Sequence, residues 1–181
     1  GMEHTSYGTI HDFVYKMLAL PLRALGTSYI GSILTVFAIS ILWSVGINSG
    51  SMVNGFVRPF WLENQAENIA ALQAGQPLPH VITEQFFDMI WMGGAGVTLS
   101  LLLAIVIFAK SKHIKSVGAI GIVPGIFNIN EPVLFGLPII LNPIMLIPFN
   151  IVPIVMVTTQ YIAMNIGLVS KPLGVAFPWP T

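Results

Sequence analysis

The sequence predicts an all-α integral membrane protein that combines transmembrane helices, an amphipathic interfacial helix and a re-entrant hairpin with broken helices. Apolar residues make up 55% of the 181 residues and charged residues 8%, whereas a soluble domain carries roughly 25% charged residues. Residues 116–170 contain a single charged side chain, Glu131, and so long an apolar run belongs in a bilayer. Closely spaced prolines in this run exclude one straight helix and predict broken helices.

Composition and charge exclude several classes of function. The seven basic and seven acidic residues balance, so the chain lacks the basic patch of a nucleic-acid-binding protein and we expect no nucleic-acid partner. Cysteine is absent, which excludes thiolate metal sites and cysteine nucleophiles. The four histidines are scattered, and the sequence has no phosphate-binding glycine loop or dinucleotide fingerprint. We therefore expect no metal, no cofactor and no complete catalytic site.

Residues 9–25 are predicted to form an amphipathic helix at the membrane interface. Apolar side chains recur there at helical spacing on one face, while the charged side chains lie elsewhere. A helix of a soluble core is the alternative, and the apolar sequence that follows argues against it. Residues 29–46 are long and apolar enough to span the hydrocarbon. Trp43 lies near the far end of this span, where interfacial aromatic residues concentrate.

Between the first two predicted spans the sequence becomes polar. Residues 46–55 contain three glycines and several small polar side chains, which either face a ligand or form a loop. The residues alone leave these two alternatives open. A short helix outside the hydrocarbon is predicted to start at Pro59 and to end before Gly75, because proline favours the first turn of a helix and glycine its end.

A second spanning helix is predicted over residues 84–109, with Thr83 as its N-cap. Acidic residues in its first turns and lysines after its end favour the helix dipole. Small residues at positions 96, 100 and 104 suit close helix packing. Lysine and arginine flank the two spans on one side, so the positive-inside rule places residues 110–115 in the cytoplasm and residues 46–83 outside.

The proline-rich stretch 118–142 is predicted to form a hairpin that dips into the membrane, with its tip near Asn128–Pro132. Pro132 removes a backbone donor and disfavours helix at Glu131. Irregular backbone at membrane depth persists only where it is buried in protein or lines a wet cavity, and transporters place substrate sites at such breaks. Residues 144–169 follow as a further predicted span, kinked by its own prolines.

Glu131 is the centre of the candidate site. A carboxylate at membrane depth costs about 2.5–3.5 kcal/mol, so it serves a function, or else it is a structural group that is paired or protonated. Asparagine amides lie near it in the sequence, and carboxylates and amides together match the hydroxyl array of a sugar. Trp43 is a candidate apolar platform for a sugar ring, although packing in a core is the commoner role of an aromatic side chain. The candidate substrate-binding residues are Glu131, Asn128, Asn130, Asn142, Asn48 and Trp43.

The stretch IVPGIFNINEPVLFGLPIILNP at residues 122–143 resembles the signature of a known family. That family is the membrane-embedded enzyme IIC permease of the bacterial sugar phosphotransferase system, of the lactose/cellobiose type. The run LWSVGI at 42–47, the polar helix at 63–76 and the residues KPLG at 171–174 are also similar to it. The resemblance covers most of residues 15–180. Family members are longer at both ends, so we expect this chain to be a central-to-C-terminal piece of one permease domain.

The resemblance implies a function and partners. It implies that the protein binds a β-linked disaccharide and carries it across the bacterial plasma membrane by alternating access, as a multi-pass protein of the lipid bilayer. A separate cytosolic IIB component, phosphorylated on a cysteine, then phosphorylates the sugar in this phosphoenolpyruvate-dependent system. Family members dimerise through their other half, so a homodimer is expected for the full-length protein. Glu131 matches the family's sugar-contacting glutamate, and Asn128, Asn130 and Pro132 match its surroundings.

One departure from the family concerns the turn GINSG at residues 46–50, where the family often has a histidine in the sequence Gly-Ile-His-Gly. Asn48 forms hydrogen bonds but cannot take a proton near neutral pH, which bears on the identity of the sugar and on the efficiency of phosphoryl transfer. Two other classes are open from the residues alone. One is an ion- or proton-coupled secondary transporter with Glu131 as proton carrier, and the other is a membrane sensor or assembly domain that transports nothing.

Overall fold

The computed structural model describes residues 20–174, and every regular element among them is an α-helix, which confirms the all-α fold class. The eight helices of this part of the chain are α1 (Leu20–Gly26), α2 (Tyr29–Ser44), α3 (Gly50–Gln73), α4 (Glu84–Ile90), α5 (Thr98–Phe108), α6 (Lys112–Ile126), α7 (Glu131–Gly136) and α8 (Pro143–Asn165). The predicted amphipathic helix over residues 9–25 lies mostly outside the described residues, which include its end as α1.

Helix α8 is long and apolar enough to cross a membrane, and it is the one helix of the described residues that meets this criterion. It has 23 residues and carries Pro148 and Pro153 in its interior, where each proline removes one backbone hydrogen bond. The apolar helices α2 and α5 are shorter, with 16 and 11 residues. Helix α2 packs along α8.

The structure corrects the predicted single helix over residues 84–109. Two helices, α4 and α5, occupy this range, separated by a glycine loop at residues 91–97. Gly93, Gly94 and Gly96 in the glycine loop have φ angles of 85°, 85° and 76°, which a right-handed helix does not contain and which glycine adopts at little steric cost. Thr83 caps α4 as predicted, since its hydroxyl accepts a hydrogen bond from the Phe86 amide at 3.3 Å.

Helix α3 begins at Gly50, well before Pro59, where the sequence predicts its start. Ser49 is fully buried, and its hydroxyl donates to the Ile39 carbonyl oxygen at 2.9 Å. This bond holds the first turn of α3 against α2, so tertiary packing extends the helix into a glycine-rich stretch of low helix propensity. The polar residues 46–55 are consequently divided between a turn and the first turns of α3.

Helices α6 and α7 pack against each other and are joined by the turn 127–130, at the position where the sequence predicts the tip of a hairpin. Asn128 in this turn has a φ of 61°, a left-handed conformation that asparagine tolerates better than most residues. Gly121 lets the two helices approach closely, since a Cβ there would lie 2.7 Å from a methyl group of Val133. The arrangement presents Glu131 as the first residue of α7.

Two clusters of buried apolar side chains surround these elements. The first cluster joins α2, the glycine loop, α5, α7 and α8 around Trp43, Leu102 and Phe149. The second joins α2, α3, α4 and α8, and in it the rings of Trp61 and Phe87 stack with centroids 3.8 Å apart. The end of α2, the start of α3 and the glycine loop are thereby held in fixed relative positions.

Buried amides of α3 hold two irregular segments in place. Asn68 is fully buried, and its amide group donates to the carbonyl oxygens of His80 at 2.8 Å and Pro172 at 2.9 Å. Its amide oxygen accepts from the His80 backbone amide at 2.9 Å. Asn64 donates to the Ile82 carbonyl oxygen at 2.9 Å, and Lys171 donates to the Leu78 carbonyl oxygen at 2.7 Å.

Candidate functional site

A cleft of about 610 Å³ opens between the end of α2, the start of α3, the glycine loop and the α6–α7 turn. A volume of this size lies within the range of small-molecule sites, roughly 300–1,000 Å³. The cleft brings together five of the six residues that the sequence nominates for substrate binding. Its lining residues are Trp43, Asn48, Gly50, Ser51, Asn54, Ala95, Phe127, Asn128, Ile129, Asn130, Glu131 and Pro132.

Glu131 presents a carboxylate to this cleft. Its side chain is half-buried, and the ion pairs within the described part of the chain involve other carboxylates, on Glu63, Glu67 and Glu84. A partly desolvated carboxylate with no basic partner among the described residues is available to accept hydrogen bonds from a ligand. Bonds to an ionised acceptor are about twice as strong as those between neutral groups.

Asn128 and Asn130 hold the glycine loop against the α6–α7 turn. The side-chain oxygen of Asn128 accepts from the Gly93 amide at 2.8 Å, and the side-chain amide of Asn130 donates to the Ala95 carbonyl oxygen at 2.8 Å. Asn130 is only 3% exposed. Each asparagine therefore uses one polar atom to fix the walls of the cleft, while its residue also lines the cleft surface.

The glycine loop fits this position because it lacks side chains at the points of contact. A Cβ on Gly94 would lie 2.7 Å from Cγ of Asn130 and 2.9 Å from the backbone oxygen of Asn128. Thr98 at the start of α5 donates its hydroxyl hydrogen to the Gly93 carbonyl oxygen. Val97 has a φ of 54°, a conformation that is strained for a β-branched residue. The glycine loop is thus held by hydrogen bonds to the α6–α7 turn on one side and to the start of α5 on the other.

Trp43 and Asn48 form the α2 side of the cleft. Trp43 is 7% exposed and packs in the first apolar cluster, so the part of its ring that reaches the cleft is held rigidly. Asn48 is exposed in the turn between α2 and α3. The Leu141 amide donates to the Ser44 carbonyl oxygen at 3.1 Å, which ties the end of α2 to the segment after α7.

Asn142 is the predicted site residue that the structure does not bring to the cleft. Its side-chain oxygen accepts from the Ile144 amide at 3.1 Å, so it serves as the N-cap of α8. Its position directly before a proline at the start of a long apolar helix is the sequence signal for that role.

Ser51, Asn54 and Ala95 line the cleft without having been singled out from the sequence. Ser51 and Asn54 belong to the polar stretch 46–55, for which the residues alone allow either a ligand-facing segment or a loop. Both lie in the first turns of α3, so the part of the stretch that begins at Gly50 is helical and also faces the cleft. Ala95 belongs to the glycine loop. The sequence predicts a continuous helix over residues 84–109, so it gives no indication that Ala95 lies beside a cleft.

The described lining offers hydrogen-bond acceptors, amide groups and an aromatic surface. It contains one carboxylate, on Glu131, and no basic residue, histidine or cysteine. Such a surface matches a neutral polyhydroxyl compound, whose hydroxyls both donate and accept and whose ring carbons pack on aromatic faces.

Comparisons with known proteins agree with this chemistry. Residues 4–153 match the family model described as "Phosphotransferase system, EIIC". The cellobiose-specific EIIC component of the phosphotransferase system from Geobacillus stearothermophilus is 46% identical over 183 residues, which cover 99% of this chain and 41% of that protein. The oligo-beta-mannoside-specific EIIC component from Bacillus subtilis (strain 168) is 42% identical over 172 residues, which cover 94% of this chain and 39% of that protein.

A solved structure is also similar. It is the crystal structure of the transporter ChbC, the IIC component from the N,N'-diacetylchitobiose-specific phosphotransferase system, with 48% sequence identity and a TM-score of 0.88. The match covers 99% of this chain and 42% of that chain. The present chain therefore spans about 40% of the length of the relatives it matches.

Proposed function

This chain belongs to the EIIC family of the phosphotransferase system, and on that premise we propose that it is the sugar-binding part of a permease for a β-linked disaccharide. The relatives are named for cellobiose, an oligo-beta-mannoside and N,N'-diacetylchitobiose, all of which consist of linked pyranose rings. Membership of this family favours phosphotransferase transport over an ion- or proton-coupled mechanism with Glu131 as proton carrier. It likewise disfavours a membrane sensor that transports nothing.

The observation that carries the proposal is the Glu131 carboxylate, which faces a cleft of about 610 Å³ without a basic partner among the described residues. In the proposed complex Glu131 accepts hydrogen bonds from two hydroxyls of one sugar ring. Asn48 and the free polar atoms of Asn128 and Asn130 bind further hydroxyls, and Trp43 packs against the ring face. Since Asn128 and Asn130 are already anchored to the glycine loop, little side-chain entropy is lost on binding.

Transport and phosphorylation are performed by different proteins: this protein transports the sugar, and a partner phosphorylates it. The cleft binds the sugar and delivers it across the bacterial plasma membrane by alternating access, as part of a multi-pass protein embedded in lipid. A cytosolic IIB component then transfers phosphate to a hydroxyl of the bound sugar. The residues of the cleft contribute the binding and the orientation of that hydroxyl. The full-length protein works as a homodimer, assembled through the other half of the domain, which this chain largely lacks.

The experiment that tests the proposal measures sugar binding by the purified full-length permease. Isothermal titration compares wild type with Glu131→Gln, using cellobiose, lactose and glucose as ligands. Replacing a charged acceptor by a neutral one weakens each hydrogen bond by about 1–1.5 kcal/mol, so two bonds lower the affinity by roughly 30- to 150-fold. Glu63→Gln is the matched control, because it removes a carboxylate on α3 that pairs with Arg23 and lines neither wall of the cleft.

The possible results separate the alternatives. Saturable binding by wild type that falls in Glu131→Gln and persists in Glu63→Gln supports both the function and the site. Equal affinity in wild type and Glu131→Gln would reject the site. Uptake that stops when the proton gradient is dissipated, and that needs no phosphoryl donor, would support proton coupling instead.

A further inference from the structure

Helices α5 and α6 form an antiparallel helical hairpin, joined by residues 109–111. The two helices pack closely, since a Cβ on Gly118 of α6 would lie 2.6 Å from a methyl group of Ile105 on α5. At one end the hairpin joins the glycine loop and the α6–α7 turn, which border the cleft. Residues 108–115 form the opposite end, which we call the hairpin tip.

The hairpin tip carries a concentration of positive charge. Lys110, Lys112 and Lys115 are exposed, and residues 89–130 contain no acidic residue. The ion pairs within the described residues use other cations, which lie on α1, on α3 and in the segment before α4. Three lysines within six residues therefore repel one another without a carboxylate partner in this part of the chain, and they create a positive local potential.

The stability of the hairpin does not account for these lysines. Lys112 and Lys115 lie in the first turn of α6, which contains no acidic residue. The partial positive charge at the start of a helix disfavours cations at these positions. Lys110, which follows the end of α5, is the one lysine of the three with a favourable position relative to a helix dipole. An external anion would offset the repulsion that the hairpin tip carries.

Exposed apolar side chains lie directly beside these charges. Ile107, Phe108 and Ile120 are 66%, 76% and 65% exposed, and one residue separates Phe108 from Lys110. Lysine stems lie along apolar surface while their ammonium groups remain in the polar layer, and basic residues beside a membrane bind anionic headgroups. An apolar surface that adjoins a row of lysines thus matches the boundary between hydrocarbon and phosphate. A soluble protein partner offers no hydrocarbon to this surface.

The dimensions of the hairpin agree with a position at this boundary. Helix α5 has 11 residues and α6 has 15, so at 1.5 Å per residue they extend about 16 Å and about 22 Å. The hydrocarbon core of a bilayer is about 30 Å thick. A hairpin tip at one headgroup layer therefore places the other end of the hairpin near the middle of the bilayer, where transporters bind their substrates.

We propose that the hairpin tip is a docking surface for anionic phospholipid, whose phosphate groups bind Lys110, Lys112 and Lys115. The lysine ammonium groups donate hydrogen bonds to phosphate oxygens, and Phe108 lies among the adjoining acyl chains. Bound lipid holds the hairpin, and with it two walls of the cleft, at a fixed depth in the bilayer. This surface is separate from the cleft and does not depend on which sugar the cleft binds.

The test measures lipid binding by the purified full-length permease in a neutral detergent at low salt. Fluorescent phosphatidylglycerol and phosphatidylcholine with identical acyl chains are titrated and followed by anisotropy. One variant replaces Lys110, Lys112 and Lys115 by glutamine, and the matched control replaces all three by arginine, which keeps the charge. A lysine near an anionic surface contributes about fivefold in affinity. The glutamine variant should therefore lower the preference for phosphatidylglycerol by about 100-fold, and the arginine variant should retain it within about twofold.

The results separate lipid from a protein partner. A fall of fivefold or more in the glutamine variant, with the preference retained in the arginine variant, supports the proposal. A smaller fall, or an equal fall in both variants, rejects it. An unchanged lipid preference with weaker binding of the phosphorylated IIB component would assign the hairpin tip to a protein and overturn the proposal. Should the glutamine variant fail to fold, as judged by thermal unfolding, Lys112→Gln alone should lower the preference about fivefold, and no change would reject the proposal.

Sugar titration of the same proteins reports on the proposed function separately. The lysines do not line the cleft, so the glutamine variant should bind sugar as wild type does in detergent. Loss of sugar binding in wild type with an intact lipid preference would overturn the proposed function and leave the lipid surface standing.

Discussion

The substitution Gly94→Ala tests whether the glycine loop is locked against the α6–α7 turn. Gly94 has a φ of 85°, and an L-residue in a left-handed conformation costs about 1–2 kcal/mol. The added methyl group would also lie 2.7 Å from Cγ and 2.8 Å from Nδ2 of Asn130. Asn130 would have to move and would lose its bond to the Ala95 carbonyl oxygen, which leaves buried polar groups unpaired at a cost of about 1–3 kcal/mol.

The matched control is Gly75→Ala. Gly75 follows α3, has a φ of 68° and has no atom within 4 Å of the position that a Cβ would occupy. This variant suffers the backbone strain without the collision. The expected difference in unfolding free energy between the two variants is the second contribution alone, about 1–3 kcal/mol.

The assay is denaturant unfolding of the full-length permease in detergent, followed by tryptophan fluorescence, together with sugar titration of each variant. Gly94→Ala should unfold at lower denaturant concentration than Gly75→Ala and should bind sugar more weakly, because Asn130 borders the cleft. Gly75→Ala should bind sugar as wild type does. Equal destabilisation by the two variants, with equal sugar affinity, would refute the reasoning that the loop and the turn form one locked unit.

Three further predictions concern stability. Thr83→Ala should destabilise the protein by about 1 kcal/mol through loss of the α4 cap, whereas Thr83→Ser should retain most of the stability in the same unfolding assay. Gly121→Ala should cost about 1–3 kcal/mol by overpacking α6 against Val133 and Leu102, whereas Gly55→Ala, with nothing within 4 Å, should stabilise α3 by up to about 1 kcal/mol. The hydrogen bond with His80 lowers the pKa of Glu67 below its ordinary value of 4.5, so its stabilising effect is complete above that pH and disappears as the pH falls through the lowered pKa. Thermal unfolding from pH 6 to pH 3 should therefore show a steeper loss of stability in wild type than in Glu67→Gln.

The sequence predicted the elements whose signals are local. The Thr83 cap, the apolar helices α2 and α8 and the break around Asn128 each follow from residues that lie within a few positions of one another. Glu131 was identifiable because a lone carboxylate in an apolar run is physically unusual. These features required no knowledge of the tertiary structure.

The features that the sequence did not predict depend on contacts between distant segments. The spacing predicts that Gly96 belongs to a small-residue face of one helix, whereas it lies in the glycine loop. Hydrogen bonds with Asn128 and Asn130, 35 residues later, hold this loop. The start of α3 depends likewise on the bond between Ser49 and Ile39.

The hydrogen bonds made by Asn68 have a consequence for which parts of the sequence are free to change. Asn68 binds only backbone atoms of His80 and Pro172, so the path of both segments depends in part on a side chain of α3, in addition to the bond between Lys171 and the Leu78 carbonyl oxygen. Side chains at positions such as Gln76 and Pro77 can diverge, or carry a spectroscopic label, while the backbone keeps its course. A change at Asn68 therefore removes a restraint from two regions that lie 92 positions apart in the chain (residues 80 and 172).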